Sequence, residues 1–346
     1  MNQTRNFLLF ALLAVAYLLF MAWEKDYAPQ APVTASSATI STGAKAVDGS
    51  VPSASLASAS SAASTKAATI ASDVSHAGQA PSQRITVDTD VLHLQIDTRG
   101  GTLVRAELLG YPSVAPTHKN PNPPPTVLLD SDPSHYFVAQ NGLVSSSDSV
   151  SQDQPNHLAL FRSEKTSYAM APGQNELQVA LTWQDAGGLK VTKTYTFRRG
   201  SYVIGLSQHI DNGTANTWQG NAYQQLQRVE PSMSGGWLSH YTDPEKRSFI
   251  GAAWYNGEKF EKLEFKNFSD KKDALDSQIK GGWAAMLRLY FVTAWIPPAG
   301  QTDHYVTQTI SPDSAHPRYL IRAMGPALSV APGQSFTAQA RLYAGP

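Results

Sequence analysis

Cysteine is absent from all 346 residues. That excludes disulfides, cysteine-based zinc sites and iron–sulfur clusters, and it makes an oxidising compartment harmless to the chain. A charge excess is absent too. The chain sets 27 Lys and Arg against 27 Asp and Glu, so no basic field exists to hold nucleic acid, and none is expected as a partner. Motifs that carry chemistry are missing in the same way. The nine histidines are scattered, with no HxH, HExxH or HxxxH spacing to ligate a metal. No GxSxG elbow, P-loop or GxGxxG after a strand is present. Asn212-Gly213-Thr214 and Asn267-Phe268-Ser269 match a glycosylation sequon, a pattern common by chance. Glu258, Glu261 and Glu264 interleave with lysines and read as a solvated face. These absences lead to the expectation of no catalytic residue, no metal, no cofactor and no enzymatic activity.

Long apolar runs are nearly absent as well; there is one. Residues 6–23 read NFLLFALLAVAYLLFMAW, with no charge between Arg5 and Glu24. As a helix the run spans roughly 27 Å, close to the hydrocarbon core of a bilayer. Arg5 and the amino terminus are positive, whereas Glu24, Lys25 and Asp26 sum to minus one. The positive-inside rule therefore predicts a cytoplasmic N-terminus (1–5), a transmembrane helix (6–23) and a remainder that faces the other side. A cleaved signal peptide is the competing reading. The run is longer than a signal core, Trp23-Glu24-Lys25-Asp26 makes a poor cleavage junction, and Trp23 and Tyr27 suit a headgroup-level belt.

Residues 24–83 are rich in Ala, Ser, Thr and Pro, with stretches such as SASLASASSAASTKAATIAS. Such a segment cannot bury enough apolar surface to offset chain entropy, so it is expected to be a disordered tether. Order is expected from Arg84 to Pro346, a length of about 260 residues that suits one large β domain. Leu92–Asp97, Glu176–Trp183, Leu189–Arg198 and Tyr202–Asp211 alternate apolar and polar residues with period two, as half-buried strands do. Further strands are expected at Ile85–Val87, Thr102–Leu109, Tyr136–Gln140, His157–Arg162, Tyr305–Ile310, Tyr319–Arg322 and Phe336–Tyr343. Turn signals such as Arg99-Gly100-Gly101, Gly187-Gly188 and Arg199-Gly200 separate them. Short strands joined by hairpin turns predict an antiparallel sandwich, not a βαβ fold.

Two segments are harder to read. Pro231–Arg247 has two adjacent glycines, two aromatics and no period, which predicts a long surface loop. Trp237 and Tyr241 within it are the candidate partner or groove surface; packing down onto the domain is the alternative. The second segment, GGWAAMLRLYFVTAWI at 281–296, fits a helix or a strand pair, and its glycines favour the pair.

The longer motifs resemble a known family. VDTDVLHLQIDTRGGTL at 87–103, APGQNELQVALTW at 171–183 and KTYTFRRGSYVI at 193–204 are similar to the large periplasmic domain of the YidC membrane-protein insertases. So are FIGAAWYNGEKFEKLEF at 249–265, KGGWAAMLRLYFVTAWIP at 280–297 and PGQSFTAQARLYAGP at 332–346. The N-terminal run resembles that family's first transmembrane helix. The resemblance implies a mainly β fold, a β-supersandwich like that of galactose-mutarotase-like proteins, standing in the periplasm behind one transmembrane helix in the bacterial inner membrane. It also implies a role in inserting and folding inner-membrane proteins, alone or with the Sec translocon. Its partners would be the lipid bilayer, nascent membrane proteins and translocon components. The family's bundle of five further helices, with its arginine-bearing groove, has no counterpart before Pro346, so the chain is expected to be the anchor and periplasmic part of a longer protein. The alternative reading is a membrane-anchored periplasmic carbohydrate- or peptide-binding β-sandwich. A mutarotase-like epimerase is disfavoured, because no carboxylate and histidine cluster suggests itself.

Overall fold

The computed structural model describes residues 50–52, 81–146, 154–231, 248–268, 270, 274–310 and 316–346. The expected transmembrane helix, most of the expected tether, and Trp237 and Tyr241 lie outside the described residues. Among the described residues no helix is long and apolar enough to cross a membrane.

In chain order the strands are β1 (Arg84–Asp88), β2 (Leu92–Asp97), β3 (Thr102–Pro112), β4 (Pro125–Leu129), β5 (Phe137–Ser145), β6 (Ser167–Ala169), β7 (Glu176–Gln184), β8 (Leu189–Arg198) and β9 (Val203–Asn212). They continue as β10 (Trp218–Val229), β11 (Gly251–Tyr255), β12 (Phe260–Glu264), β13 (Asp276–Lys280), β14 (Trp283–Arg288), β15 (Phe291–Ile296), β16 (Thr302–Ile310), β17 (Arg318–Val330) and β18 (Ser335–Gly345). They form two sheets. The ten-stranded sheet runs β13-β16-β17-β10-β5-β3-β2-β1-β6, with β4 added on β3. The eight-stranded sheet runs β12-β11-β14-β15-β18-β9-β8-β7. Among the described residues pairing is antiparallel except between β1 and β6. The expected antiparallel sandwich is therefore the observed fold.

Alternation explains most of it. In β8 the inward positions are Leu189, Val191, Lys193, Tyr195 and Phe197; in β9 they are Ile204, Leu206, Gln208, Ile210 and Asn212. Val179 and Leu181 of β7, Leu94 and Ile96 of β2, and Leu226 and Ile321 from β10 and β17 join them in one core between the sheets. The segment at 281–296 is the strand pair that its glycines favoured, with Ala284 opposite Trp295 and Leu287 opposite Val292.

Two readings need correction. His157–Arg162 is not a strand. It is a loop whose strand-type pairing is limited to single bridges, Arg99 with Leu160 and Arg162 with Thr182, because the Ala159 carbonyl and the Phe161 N–H are taken by the β2–β3 turn. The long strand β10, WQGNAYQQLQRV, went unread because it does not alternate. It is buried on both faces from Gly220 onward, so its glutamines point into cover as well as its apolar residues.

Three residues of the expected tether are seated on the domain: Ser50 is 2% exposed, and Pro52 is buried.

Trp295 is fully buried and its indole N–H donates to the Gln225 carbonyl at 3.0 Å. Trp283 is half-buried and stacks on Tyr255 near the surface, ring centres 6.5 Å apart. Trp295→Ala should therefore cost about 3–5 kcal/mol and Trp283→Ala less than about 2 kcal/mol. Equal losses in a denaturant titration would contradict this division.

Candidate functional site

The site begins at a turn. Gly100 and Gly101, in the four-residue connection 98–101 between β2 and β3, have φ of 70° and 64°, the left-handed conformation that glycine supplies without strain. A Cβ on Gly100 would lie 2.2 Å from the carbonyl oxygen of His157, so only glycine lets the 154–161 loop approach. The Gly100 N–H donates to the Ala159 carbonyl at 2.6 Å, and the Arg99 guanidinium donates to the Leu158 carbonyl at 3.2 Å. The loop is thereby held with His157 aimed at the ten-stranded sheet.

The other side of the same turn faces the sandwich interior. Lys193 Nζ, fully buried, donates to the Gly100 carbonyl at 2.7 Å and the Asn141 carbonyl at 2.9 Å, and lies 4.5 Å from the centre of the Phe161 ring. The Tyr195 hydroxyl donates to the Gly101 carbonyl at 2.5 Å and accepts from Asn141 Nδ2 at 2.6 Å. Burial disfavours the charged form of both groups. It holds the Lys193 ammonium well below the ordinary lysine value and pushes the Tyr195 hydroxyl up.

On the face of the ten-stranded sheet turned away from this interior, Gln140, Gln225 and Arg322 stand side by side in register on β5, β10 and β17. Arg322 Nε donates to Gln225 Oε1 at 2.8 Å, and Gln225 Nε2 donates to Gln140 Oε1 at 2.8 Å. Tyr223 lies two residues along the strand, its ring centre 5.9 Å from the Arg322 guanidinium carbon. Its hydroxyl accepts from the His157 backbone N–H at 3.1 Å and pairs with His157 Nδ1 at 2.6 Å. Opposite Tyr223, Gly142 leaves the room that hydroxyl requires: a Cβ there would meet it at 2.7 Å. Ser50 closes the cluster. Its hydroxyl pairs with His157 Nε2 at 2.8 Å, and its carbonyl accepts from Arg322 Nη2 at 2.6 Å. The arrangement presents an imidazole to a hydroxyl and a guanidinium to a carbonyl, with two amides behind the guanidinium. Such groups suit recognition of polypeptide.

Two open grooves lie elsewhere. One of about 510 Å³ is lined by Arg105, Asp130, Phe137, Arg228, Ile250 and Arg288. The other, about 700 Å³, lies over the eight-stranded sheet beside Thr196, Arg198, Gly205, Ile296, Gln339 and Arg341. Glu261 and Glu264 make surface ion pairs with Lys259 and Lys266, worth little energetically. Asn212, first residue of one sequon, is buried with its amide bonded to the Asn216 and Val330 carbonyls. Among the described residues no group of three or more His, Cys, Asp or Glu is placed to hold a metal ion. None of the cluster residues was singled out from the sequence, since Ser50 and Arg322 are 272 positions apart. Trp237 and Tyr241, the residues that were, lie outside the described residues.

Residues 84–346 match the YidC periplasmic domain. The chain belongs to the YidC family. A membrane protein insertase YidC of Stenotrophomonas maltophilia (strain R551-3) is 38% identical over 348 residues, covering 100% of this chain and 57% of that protein. A membrane protein insertase YidC of Methylococcus capsulatus is 36% identical over 334 residues, covering 95% of this chain and 54% of that one. The chain thus spans little more than half the length of these YidC relatives. Among solved structures, a galactose mutarotase related enzyme from Lactobacillus acidophilus aligns over 76% of this chain and 97% of its own, at 10% identity and a TM-score of 0.45. A galactose mutarotase-like protein from Clostridium acetobutylicum aligns over 74% of this chain and 93% of its own, at 8% identity and a TM-score of 0.43. Likeness at that level carries no chemistry over to this YidC domain.

Two measurements probe the turn and its lysine. Gly100→Ala should cost about 3 kcal/mol or more, because strain and a backbone clash combine. Gly200→Ala, at φ 69° with nothing within 4 Å, should cost only about 1–2 kcal/mol. Equal effects would remove the loop contact from the account. Because the folded Lys193 pKa is depressed, the unfolded chain binds more protons than the folded one between that value and about 10.4, and stability rises with pH across the window. Lys193→Met strips the donor from two buried carbonyls and removes the titration. The stability advantage of the unsubstituted protein over this variant should therefore grow from pH 7 to pH 10. A pH-independent difference would show that Lys193 titrates normally in the folded state.

Proposed function

We propose that this chain is the membrane anchor and periplasmic domain of a membrane-protein insertase of the bacterial inner membrane, with a cytoplasmic N-terminus. The observation that carries the reading is the full-length identity to insertases, which extends through the N-terminal 83 residues as well as the matched domain. The flanking charges of the 6–23 run support the orientation. In this reading the domain acts by binding, not by covalent chemistry. Its partners are the lipid bilayer, nascent membrane proteins and components of the Sec translocon. Insertion belongs to the whole protein, since a polar path through hydrocarbon needs more than one apolar helix.

In Gram-negative cells, protease added to spheroplasts should cut the chain between residues 24 and 83 and release the domain, while the anchor stays in the membrane. Full protection of that stretch, or a mature N-terminus after Trp23, would overturn the topology. A photo-reactive residue at position 341, beside the larger groove, should crosslink in cells to membrane proteins under synthesis or to translocon subunits. Crosslinks confined to soluble periplasmic proteins or to glycans would favour a plain binding module.

A further inference from the structure

We propose that the polar cluster on the outer face of the ten-stranded sheet is a binding site for a short polypeptide segment, and that Ser50-Val51-Pro52 is its resident, displaceable occupant. Every recognising group belongs to the domain proper. His157 comes from the loop after β5, Tyr223 and Gln225 from β10, and Arg322 from β17. The occupant arrives from more than thirty residues before β1 and offers the cluster a backbone carbonyl and a small hydroxyl. The carbonyl is generic to polypeptide, and the hydroxyl narrows the choice to serine or threonine. A carbonyl is read by a guanidinium donor, a serine hydroxyl by an imidazole nitrogen, and nothing in that pairing requires covalent continuity with the domain.

The receptor is preorganised around the occupant. Arg322 is oriented by Gln225, which is oriented in turn by Gln140. His157 is oriented by Tyr223 at Nδ1, leaving Nε2 for Ser50. Side chains already held in place lose little freedom when a ligand arrives, which is how a small polar site gains useful affinity. The burial is deep: Ser50 is 2% exposed, whereas Pro81, on the approach to β1, is exposed. Pro52 and part of Val51 are buried beside Ser50, and the hydrogen-bonded match between Ser50 and the cluster sets where the segment docks. The fitting ligand is a segment with serine or threonine followed within two residues by proline, able to adopt the turn and bend of Ser50 and Val51; the proline's fixed φ limits what such a segment loses on binding. The site's chemistry does not depend on the insertase reading.

The test uses the absence of native cysteine. In the full chain with the single substitution Ser50→Cys, thiol labelling should be at least about tenfold slower under native conditions than in denaturant, as for a residue that reacts only after local opening. The free peptide VDGSVPSAS, the sequence of residues 47–55, should accelerate labelling several-fold in a dose-dependent way at millimolar concentration, and a permuted peptide of equal composition should not. Arg322→Gln should accelerate labelling without peptide. Should that variant fail to keep its β-type far-UV spectrum, His157→Ala takes its place. Hydrogen exchange of the 47–55 stretch in the unsubstituted chain, with and without the peptide, gives the same readout free of any substitution. Native labelling as fast as in denaturant would overturn the docking. Slow labelling or exchange that the peptide leaves unchanged would overturn the site, because the segment would then be a fixed part of the fold.

Discussion

Two carbonyl groups and one missing methyl, all within Gly100-Gly101, tie the parts of this domain together. The carbonyls accept from Lys193 and Tyr195 of β8, so a turn in one sheet is bonded to a strand of the other. The absent Cβ of Gly100 admits the backbone of His157, so the loop that completes the outer cluster is anchored at the same point. A buried lysine is a costly way to join two sheets by solvation alone. Here its Nζ donates to two carbonyls, that of Gly100 in the turn and that of Asn141 on β5, and it lies against the Phe161 ring. A polar joint of this kind admits few alternative registers, because a slipped strand would leave every one of its members unpaired.

The outer cluster extends that logic to the far side of the ten-stranded sheet. β5 and β10 are buried on both faces, which makes them the central plane of the domain, with an apolar core on one side and a satisfied polar layer on the other. The polar layer discriminates where the apolar core mainly stabilises. Its amides and guanidinium act through direction, and each has its donor or acceptor set by a neighbour.

How much of this could be read from residues alone depended on whether a strand has one wet face. β2, β7, β8 and β9 alternate cleanly because their outer positions meet solvent, and period two gave them to within a residue or two. β10 has no wet face, so Tyr223, Gln225 and Gln227 sit at positions that look exposed in a polar–apolar count. His157–Arg162 carries apolar residues at alternate positions for a different reason: Ala159 and Phe161 plug the core from a loop. Lys193 was legible as a strand residue but not as an inward one, since a lone lysine in an alternating segment ordinarily marks the wet side. The family was legible because it rests on long runs of residues. The site was not, because it joins position 50 to positions 157, 223 and 322, and no local pattern encodes such a meeting.

Covalent attachment changes what can compete for the outer cluster. A ligand held on the same chain by some thirty residues is present at an effective concentration in the millimolar range, however dilute the protein. Dilute peptides in the surrounding solution therefore meet a site that is nearly always full. A segment that is itself confined beside the domain reaches comparable local concentration and can exchange with Ser50. The strap thus filters ligands by how they are delivered, so that a weak and chemically generic site answers only to polypeptide held close at hand.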